Sequence, residues 1–198
     1  MTLREILRMV LVLTIVTGIW GGLLSLVKMA TEDQIQYQRI KNIKAPALRQ
    51  ALSVDYDNDP VKDRKTLVIG QDKNGKPIEK TFFFAKKDGR IQAVALEAYG
   101  AGYEDLVGVM LSIDVADGSL GGIAVTTHSE TPGVGTKAFE SEEFMGQFTD
   151  KPLSTDFSPD GTLDAVSGAT YTSNGVQNAV HNGVQIFQEF KSKILADS

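Results

Sequence analysis

The 198-residue sequence contains no cysteine and only two histidines, His128 and His181. Without thiols the chain forms no disulfide bond, no lipid-anchoring cysteine site, no thiolate metal site and no protein-bound iron–sulfur cluster. Two histidines also give little support to a histidine-rich metal site or to a haem with two histidine ligands. The lack of cysteine is by itself compatible with either side of a membrane.

Positive charge is also in short supply, with 20 Lys and Arg residues against 25 Asp and Glu residues and a net charge of -5. Surfaces that bind nucleic acid are normally basic, so this balance argues against a nucleic-acid partner. The acidic residues are spread along the chain, as on an ordinary solvated surface. The length allows one sizeable core and is short for two.

One segment lacks charge entirely: residues 9–27 form an uncharged run of 19, bounded by Arg8 and Lys28. As a helix this run spans about 28 Å, which is enough to cross a bilayer core. A cleaved signal peptide is the alternative, but its apolar region is normally shorter and no A-x-A-like site follows Lys28. We predict a retained membrane anchor over residues 1–30. Arg4 and Arg8 favour an N-terminus inside and the bulk of the chain outside.

The rest of the chain has the pattern of a helical linker followed by hairpins. Residues 31–60 are polar and helix-prone with a break near Pro46, which predicts a stalk or linker. Over residues 61–198, short β-type segments are separated by turn signals such as Asn74-Gly75. Hairpin connections favour a largely antiparallel sheet. The predicted fold class is α+β: a single N-terminal transmembrane helix, then one soluble domain whose sheet has flanking helices.

The stretch from Asp164 to Ser173 combines small residues with clustered hydroxyls, and a helical pattern follows at once. Apolar residues at steps of three and four predict one helix face: Val176, Val180, Val184, Phe187 and Phe190. Thr172 or Ser173 is the best-placed N-cap, which puts Thr170 just upstream of the helix N-terminus. Unpaired backbone N–H groups and the helix dipole favour an anionic group there. The alternative is an ordinary strand-to-helix turn capped by these hydroxyls.

The spacing of Asp164, two residues, then Ser167, Gly168, Ala169 and Thr170 resembles the flavinylation signature D-x-x-S/T-G-A-T/S. That signature marks the FMN-binding subunits of the Rnf and sodium-pumping NADH:quinone reductase complexes. The resemblance implies that Thr170 carries covalent FMN through a phosphoester bond, installed from FAD by a separate flavin transferase. Ser167, Gly168 and Ala169 would form the cofactor-binding turn, whose small residues leave room for a bulky ligand. Asp164 would help the transferase position Thr170, directly or through a metal ion, or it would bond the backbone of its own turn.

The loop His128–Gly135 follows a predicted strand and contains two glycines, a proline and several polar groups. Taken alone, such a loop is more often a plain surface loop. It resembles the segment H-x-E-T-P-G-L/V-G, which the same family places beside the flavin. On that resemblance Glu130, Thr131 and Gly133 are expected flavin neighbours, whereas His128 is equally well explained as a structural histidine.

Two smaller features belong to the same resemblance. Val134 stands where the family usually has leucine, a departure that we do not expect to matter. The stretch Tyr99–Tyr103 resembles a glycine- and aromatic-rich turn of the family. A role at the flavin edge for Tyr99 or Tyr103 competes with simple aromatic packing beside a glycine turn.

The resemblance runs from about residue 1 to residue 190 and is closer to the G-type component of the Rnf complex, because the equivalent quinone-reductase components are typically longer. It implies a subunit in the bacterial or archaeal cell (inner) membrane, with its soluble domain on the extracytoplasmic side. Such a subunit relays electrons through FMN in a ferredoxin:NAD oxidoreductase complex that translocates ions. Its partners would be the other membrane and cluster-bearing subunits and the flavin transferase.

The sequence gives no sign that the chain is a catalyst by itself. It has no dinucleotide-binding fingerprint, and Thr170 has no obvious base partner in sequence, so we expect no catalytic residue and no metal site. Three alternatives stay open: the C-type component of the quinone reductase, an anchored assembly or binding module without a functional flavin, and an unrelated extracytoplasmic adhesion domain.

Overall fold

The computed structural model describes residues 3–196, which divide into two compact units, one ending at Asn42 and one starting at Ile43. The first unit is built on a single helix, α1, which covers Leu3–Arg39. The part Leu3–Glu32 is long and apolar enough to cross a membrane, and none of its apolar window is buried by the described chain. Such a surface is suited to lipid contact and supports a membrane-anchored protein.

A π-helical turn, Ile40–Lys44, precedes the short helix α2, Ala45–Ala51. Pro46 lies in the first turn of α2, where the N–H that proline lacks has no helical partner to lose. The break predicted near Pro46 is thus an interruption of the α-helix by the π-helical turn, with the proline in the first turn of the helix that follows. Helix α2 buries three residues against the sheet of the second unit: Ala47, Leu48 and Ala51.

The second unit contains an antiparallel meander of six strands among the described residues, whose order in the sheet is their order in the chain. The strands are β1 (Arg64–Gln71), β2 (Pro77–Lys87), β3 (Arg90–Ala101), β4 (Leu106–Asp114), β5 (Ser119–Thr127) and β6 (Lys151–Pro152). Every pair of neighbours is antiparallel. The predicted α+β class and antiparallel sheet are confirmed. Short turns join β1 to β5 in succession, as antiparallel neighbours allow, whereas residues 128–150 separate β5 from β6.

The two faces of the sheet bury different amounts of apolar surface. One face is covered by the long C-terminal helix α5, Thr170–Leu195. Alternate residues of the central strands face this helix, among them Val94, Leu96 and Ala98 of β3. The helix contributes a buried stripe at the predicted spacing: Val176, Val180, Val184 and Phe187. Each of these side chains stabilises the fold by about 1.5–3 kcal/mol relative to an exposed position.

The first turns of α5 lie directly on the end of β3, because each element has a glycine at the crossing: Gly175 in α5 and Gly100 in β3. A Cβ on Gly100 would lie 2.0 Å from the carbonyl oxygen of Gly175, so no other residue fits there. Two further short helices, α3 (Lys137–Glu140) and α4 (Glu142–Gly146), lie between β5 and β6. The crossing places the start of α5 beside the turn that follows β3.

Candidate functional site

Helix α5 begins at Thr170, and the loop that leads into it is residues 164–169. Gly168 has φ of +80°, a left-handed conformation that favours glycine. Ala169 is buried and serves as the N-cap residue, whereas Thr170 is exposed. The hydroxyl of Thr170 is therefore carried on the first turn of a 26-residue helix, within reach of another protein.

The prediction that Thr172 or Ser173 is the N-cap is wrong. The N-cap is Ala169, and both hydroxyl residues are buried within the start of the helix. Thr172 Oγ1 donates to Glu130 at 2.7 Å, and Ser173 Oγ donates to the carbonyl of Ala169 at 3.0 Å. Neither hydroxyl accepts a hydrogen bond from a first-turn N–H group, and no side chain of the described residues caps the helix. Thr170 is consequently the first residue of α5 instead of lying upstream of it, and it sits closer to the positive end of the dipole.

Thr170 opens onto a small recess of about 120 Å³. The lining comes from three segments: Tyr103 after β3, Val134 and Gly135 after β5, and Gly168–Thr172 at the start of α5. Apolar side chains form an exposed rim, with Tyr103 64%, Val134 51% and Tyr171 69% exposed. The rings of Tyr103 and Tyr171 are 5.9 Å apart between centroids and inclined at 51°. The recess thus offers an aromatic rim beside a hydroxyl.

Glu130 connects all three segments of the recess without lining it. Its side chain is buried, and one carboxylate oxygen accepts the N–H groups of Tyr103 at 2.9 Å and Glu104 at 3.2 Å. The other oxygen accepts the hydroxyl of Thr172. A Cβ on Gly135 would lie 2.2 Å from the same oxygen, so the loop after β5 packs against it. The carboxylate is therefore committed to internal hydrogen bonds behind the recess.

The loop after β5 is a tight turn whose predicted site residues shape it. The carbonyl of Thr131 accepts the N–H groups of Val134 and Gly135, each at 3.1 Å. The N–H of Gly133 donates to Thr136 Oγ1 at 2.8 Å. Thr131 and Gly133 are exposed and outside the recess lining, whereas Val134 and Gly135 reach it. The departure from leucine at position 134 therefore falls on a residue that faces the site.

The other residues selected from the sequence separate into different environments. Tyr103 lines the recess, but Tyr99 lies on the opposite face of the sheet, where its hydroxyl bonds Glu97. The ring of His128 packs on the ring of Phe139, with centroids 4.6 Å apart. Of the two explanations for His128, the contacts fit the structural one.

Asp164 lies in a second hollow, which also involves Ser167 and helix α4. Its main chain is held by the side chain of Gln147: the N–H of Asp164 donates to Oε1 at 2.9 Å, and Nε2 donates to its carbonyl at 3.1 Å. The carboxylate is exposed and has no hydrogen-bond partner among the described residues. Neither Asp164 nor Ser167 lines the recess of Thr170.

A second buried carboxylate, Glu97, lies on the other face of β3. Lys44 forms an ion pair with it at 3.0 Å, and Thr126 and Tyr99 donate hydroxyl hydrogen bonds. Burial alone would raise the pKa of Glu97, but the bonds from Thr126 and Lys44 and the lysine charge together hold it below its ordinary value. Burial lowers the pKa of Lys80, which donates to the carbonyl of Glu97 at 3.0 Å.

Sequence reasoning missed Tyr171 and Thr172 as parts of the recess beside Thr170, and Gln147 as part of the hollow that contains Asp164. Tyr171 directly follows Thr170, so its place beside Thr170 could have been inferred from the helix start alone. Gln147 lies 17 residues before Asp164, and nothing in the sequence connects the two.

Comparison with known proteins gives a consistent result. Residues 102–185 match the model of the FMN-binding domain family. The chain is 29% identical to the G component of the ion-translocating oxidoreductase complex of Cereibacter sphaeroides, over 92% of this chain and 88% of the relative. It is 27% identical to the protein of the same name in Methanosarcina acetivorans, over 91% of this chain and 94% of the relative. The resemblance predicted from the motifs is confirmed.

Two solved structures share the fold at lower sequence identity. NqrC of Shewanella oneidensis is 20% identical, with a TM-score of 0.58 over 82% of this chain and 100% of that one. The C component of the Na(+)-translocating NADH-quinone reductase of Parabacteroides distasonis is 17% identical, with a TM-score of 0.53 over 79% and 94%. These likenesses establish the architecture of the chain.

Proposed function

We propose that the chain, whose residues 102–185 match the model of the FMN-binding domain family, carries FMN on Thr170 through a phosphoester bond. In this function the chain is a membrane-anchored electron-transfer subunit of an ion-translocating oxidoreductase complex, as the names of its relatives suggest. Bound FMN supplies the ability to accept electrons and pass them on. The observation that carries the proposal is the exposed Thr170 hydroxyl at the start of α5, inside the recess.

The residues around Thr170 fit the two halves of FMN. The first-turn N–H groups and the helix dipole suit a phosphate on the Thr170 oxygen. Among residues 3–196, none of those that line the recess is Lys or Arg, so these backbone groups are the positive end that the phosphate meets. The side chains of Tyr103, Val134 and Tyr171 offer apolar and aromatic surface to a planar ring.

The size of the recess gives a physical reason for a covalent bond. At about 120 Å³ it is well below the roughly 300–1,000 Å³ of a typical small-molecule pocket. Such a shallow site buries little of a flavin, so FMN without a tether would dissociate readily into a dilute exterior. A phosphoester retains the cofactor and leaves the ring surroundings to the pocket.

Attachment needs a separate flavin transferase with FAD as donor. A bond forms between Thr170 Oγ and the phosphorus of the FMN half of FAD, and the pyrophosphate bond to that phosphorus breaks. AMP leaves with the bridging oxygen, and the hydroxyl proton passes to a base on the transferase. Glu130 is occupied by Tyr103, Glu104 and Thr172, so it is not free to act as that base.

We assign supporting roles to the remaining predicted site residues. Ser167, Gly168 and Ala169 form the turn that presents Thr170, and Asp164 offers its free carboxylate to the transferase. Glu130, Thr131 and Gly133 act indirectly, by holding the segments that form the recess.

The test is covalent attachment in full-length protein made together with a flavin transferase. We expect the peptide containing Thr170 to gain the mass of one FMN, and the denatured protein to fluoresce in a gel. Thr170→Val keeps the shape of the side chain but removes the hydroxyl, so attachment should be lost completely. Thr170→Ser should keep it.

A matched control is Thr149→Val, which removes an exposed threonine hydroxyl outside the recess and should leave attachment unchanged. An unmodified wild-type peptide under these conditions would contradict the proposal. The alternative, the C-type component of a quinone reductase, differs in its partners, and the proteins that purify with the chain distinguish the two complexes.

We also propose that the soluble unit lies on the extracytoplasmic side. The absence of native cysteine makes single introduced thiols specific reporters. Ser129→Cys should react with a membrane-impermeant maleimide in intact spheroplasts, whereas Arg4→Cys should react only after lysis. The reverse pattern would place the domain in the cytoplasm.

A further inference from the structure

The side-chain amide of Gln147 bonds the main chain of Asp164 as a backbone peptide group would. Its amide accepts the N–H of Asp164 and donates to the carbonyl of the same residue, at 2.9 and 3.1 Å. A paired bond of this kind fixes both the position and the orientation of one residue of backbone. Asp164 is thus held through its main chain, and its carboxylate stays available.

A second glutamine holds the preceding residue from the other side. Gln177 of α5 is buried, and its Nε2 donates to the carbonyl of Leu163 at 2.9 Å. The N–H of Val166 donates to Ser173 Oγ at 3.0 Å. The segment from Leu163 to Val166 is therefore bonded to α5 at two residues and to Gln147 at a third.

Gln147 directly follows helix α4, which is firmly seated. Phe144 of α4 and Phe148 are buried, and their rings meet edge to face with centroids 5.3 Å apart. The N–H of Phe144 donates to Ser141 Oγ, which caps the helix. Gln147 therefore bonds the loop from a well-packed and capped helix end, which is what a positioning group requires.

The groove between α4 and the loop has mixed walls: five lining residues are polar (Ser141, Glu143, Gln147, Asp164 and Ser167) and three are apolar (Phe144, Ala165 and Val166). Its volume is about 360 Å³, three times that of the recess, and it is open to solvent. The two hollows share no residue, and they adjoin successive parts of one loop: Ser167 lines the groove and Gly168 lines the recess. A protein that enters the groove reaches the acceptor loop without occupying the space beside Thr170.

Resting on the proposed function, we propose that this groove is the docking surface of the flavin transferase and that Gln147 is a positioning residue for flavinylation. The transferase contacts α4 as well as the signature loop. Gln147 fixes Asp164 relative to α4, so that the transferase meets the carboxylate and the Thr170 hydroxyl in one arrangement. Transfer of a group between two proteins depends steeply on such alignment.

The experiment measures the initial rate of flavinylation of full-length protein by purified transferase and FAD, read as in-gel flavin fluorescence. Gln147→Leu removes both bonds to Asp164, and we expect kcat/KM to fall about tenfold or more. Gln147→Glu keeps the acceptor oxygen but replaces the donor with a carboxylate oxygen that faces the carbonyl of Asp164, so a loss similar to that of Gln147→Leu is expected. Thermal unfolding of each variant checks that the fold persists.

Gln188→Leu is the matched control, since Gln188 also donates its side-chain amide to a backbone carbonyl, that of Leu153, at 3.1 Å. It should be flavinylated at the wild-type rate. The variant Asp164→Asn supplies a cycle with Gln147→Leu. If Gln147 acts through Asp164, the double variant should be no slower than Asp164→Asn alone.

Two results would overturn the inference while leaving the proposed function intact: a wild-type rate in Gln147→Leu, or losses that multiply in the double variant. Multiplying losses would mean that Gln147 acts independently of the Asp164 carboxylate. Wild-type protein that accepts no FMN from the transferase would overturn the proposed function and this inference together.

Discussion

Two carboxylates that are buried among the described residues of the second unit, Glu97 and Glu130, are stabilised in different ways. Glu97 is 6% exposed and has a lysine counter-ion, with hydroxyl donors added. Glu130 is 4% exposed, and its three hydrogen bonds come from two backbone N–H groups and one hydroxyl. One buried charge is compensated by an opposite charge, and the other by oriented neutral donors.

The difference suits what each carboxylate holds in place. Glu97 bonds Lys44, close to where the chain enters the second unit, and a lysine remains tethered even when its geometry varies. Glu130 fixes backbone and a helix hydroxyl, which demand specific directions. Removing the Glu130 carboxylate therefore leaves the buried Thr172 hydroxyl and two partly buried N–H groups without their acceptor, whereas Lys44 is 30% exposed and can turn to solvent.

The largest effect is expected from Glu130→Gln. The change removes the negative charge at which the two backbone N–H groups and the Thr172 hydroxyl are aimed, so these hydrogen bonds weaken and the free energy of unfolding should fall by about 2 kcal/mol. Denaturant unfolding measures the loss, and hydrogen exchange at the amides of Tyr103 and Glu104 should accelerate. Covalent FMN attachment should fall as well, because the recess segments are no longer held together.

A smaller loss, of about 1 kcal/mol, is expected from Glu97→Gln, since Lys44 regains solvent. A cycle with Lys44→Met isolates the pairing energy from the hydroxyl bonds. FMN attachment should stay at the wild-type level. A stability loss equal to or greater than that of Glu130→Gln would show that the kind of compensation does not govern the cost.

The smallest effect concerns acid stability. The pKa of Glu97 is lowered in the folded state, so its contribution is present above its ordinary value of 4.5 and is lost as pH falls through the lower folded value. Wild-type protein should lose stability more steeply than Glu97→Gln below about pH 4.5. Denaturant midpoints at pH 7, 4.5 and 3.5 measure this; parallel curves for both proteins would remove Glu97 from the acid response.

Much of the fold could be predicted because its signals are local. The Asn74-Gly75 turn joins β1 to β2, and the spacing of apolar residues marks the buried face of α5. The uncharged run predicted one long helix, which α1 provides. The break predicted near Pro46 corresponds to the π-helical turn Ile40–Lys44, after which α2 starts at Ala45 with the proline in its first turn.

The site was less accessible to sequence reasoning. The motifs identified the loop around Thr170 and the loop that contributes Val134 and Gly135, and the structure brings both loops to one recess. They did not reveal that Glu130 faces inward, that Tyr171 stands at the rim, or that Gln147 holds Asp164.

The sequence by itself determined that the chain has an apolar helix, an antiparallel sheet, a long amphipathic helix and a signature resembling that of flavin carriers. Periodicity, turn residues and motif spacing are properties of neighbouring residues, so they can be read along the chain. Only the tertiary structure decided which oxygens and N–H groups meet across separate segments. Those pairings depend on the crossing of β3 and α5 at two glycines and on the packing of α4 through its buried phenylalanine. Such contacts join residues that are far apart in sequence, so the order of residues does not reveal them.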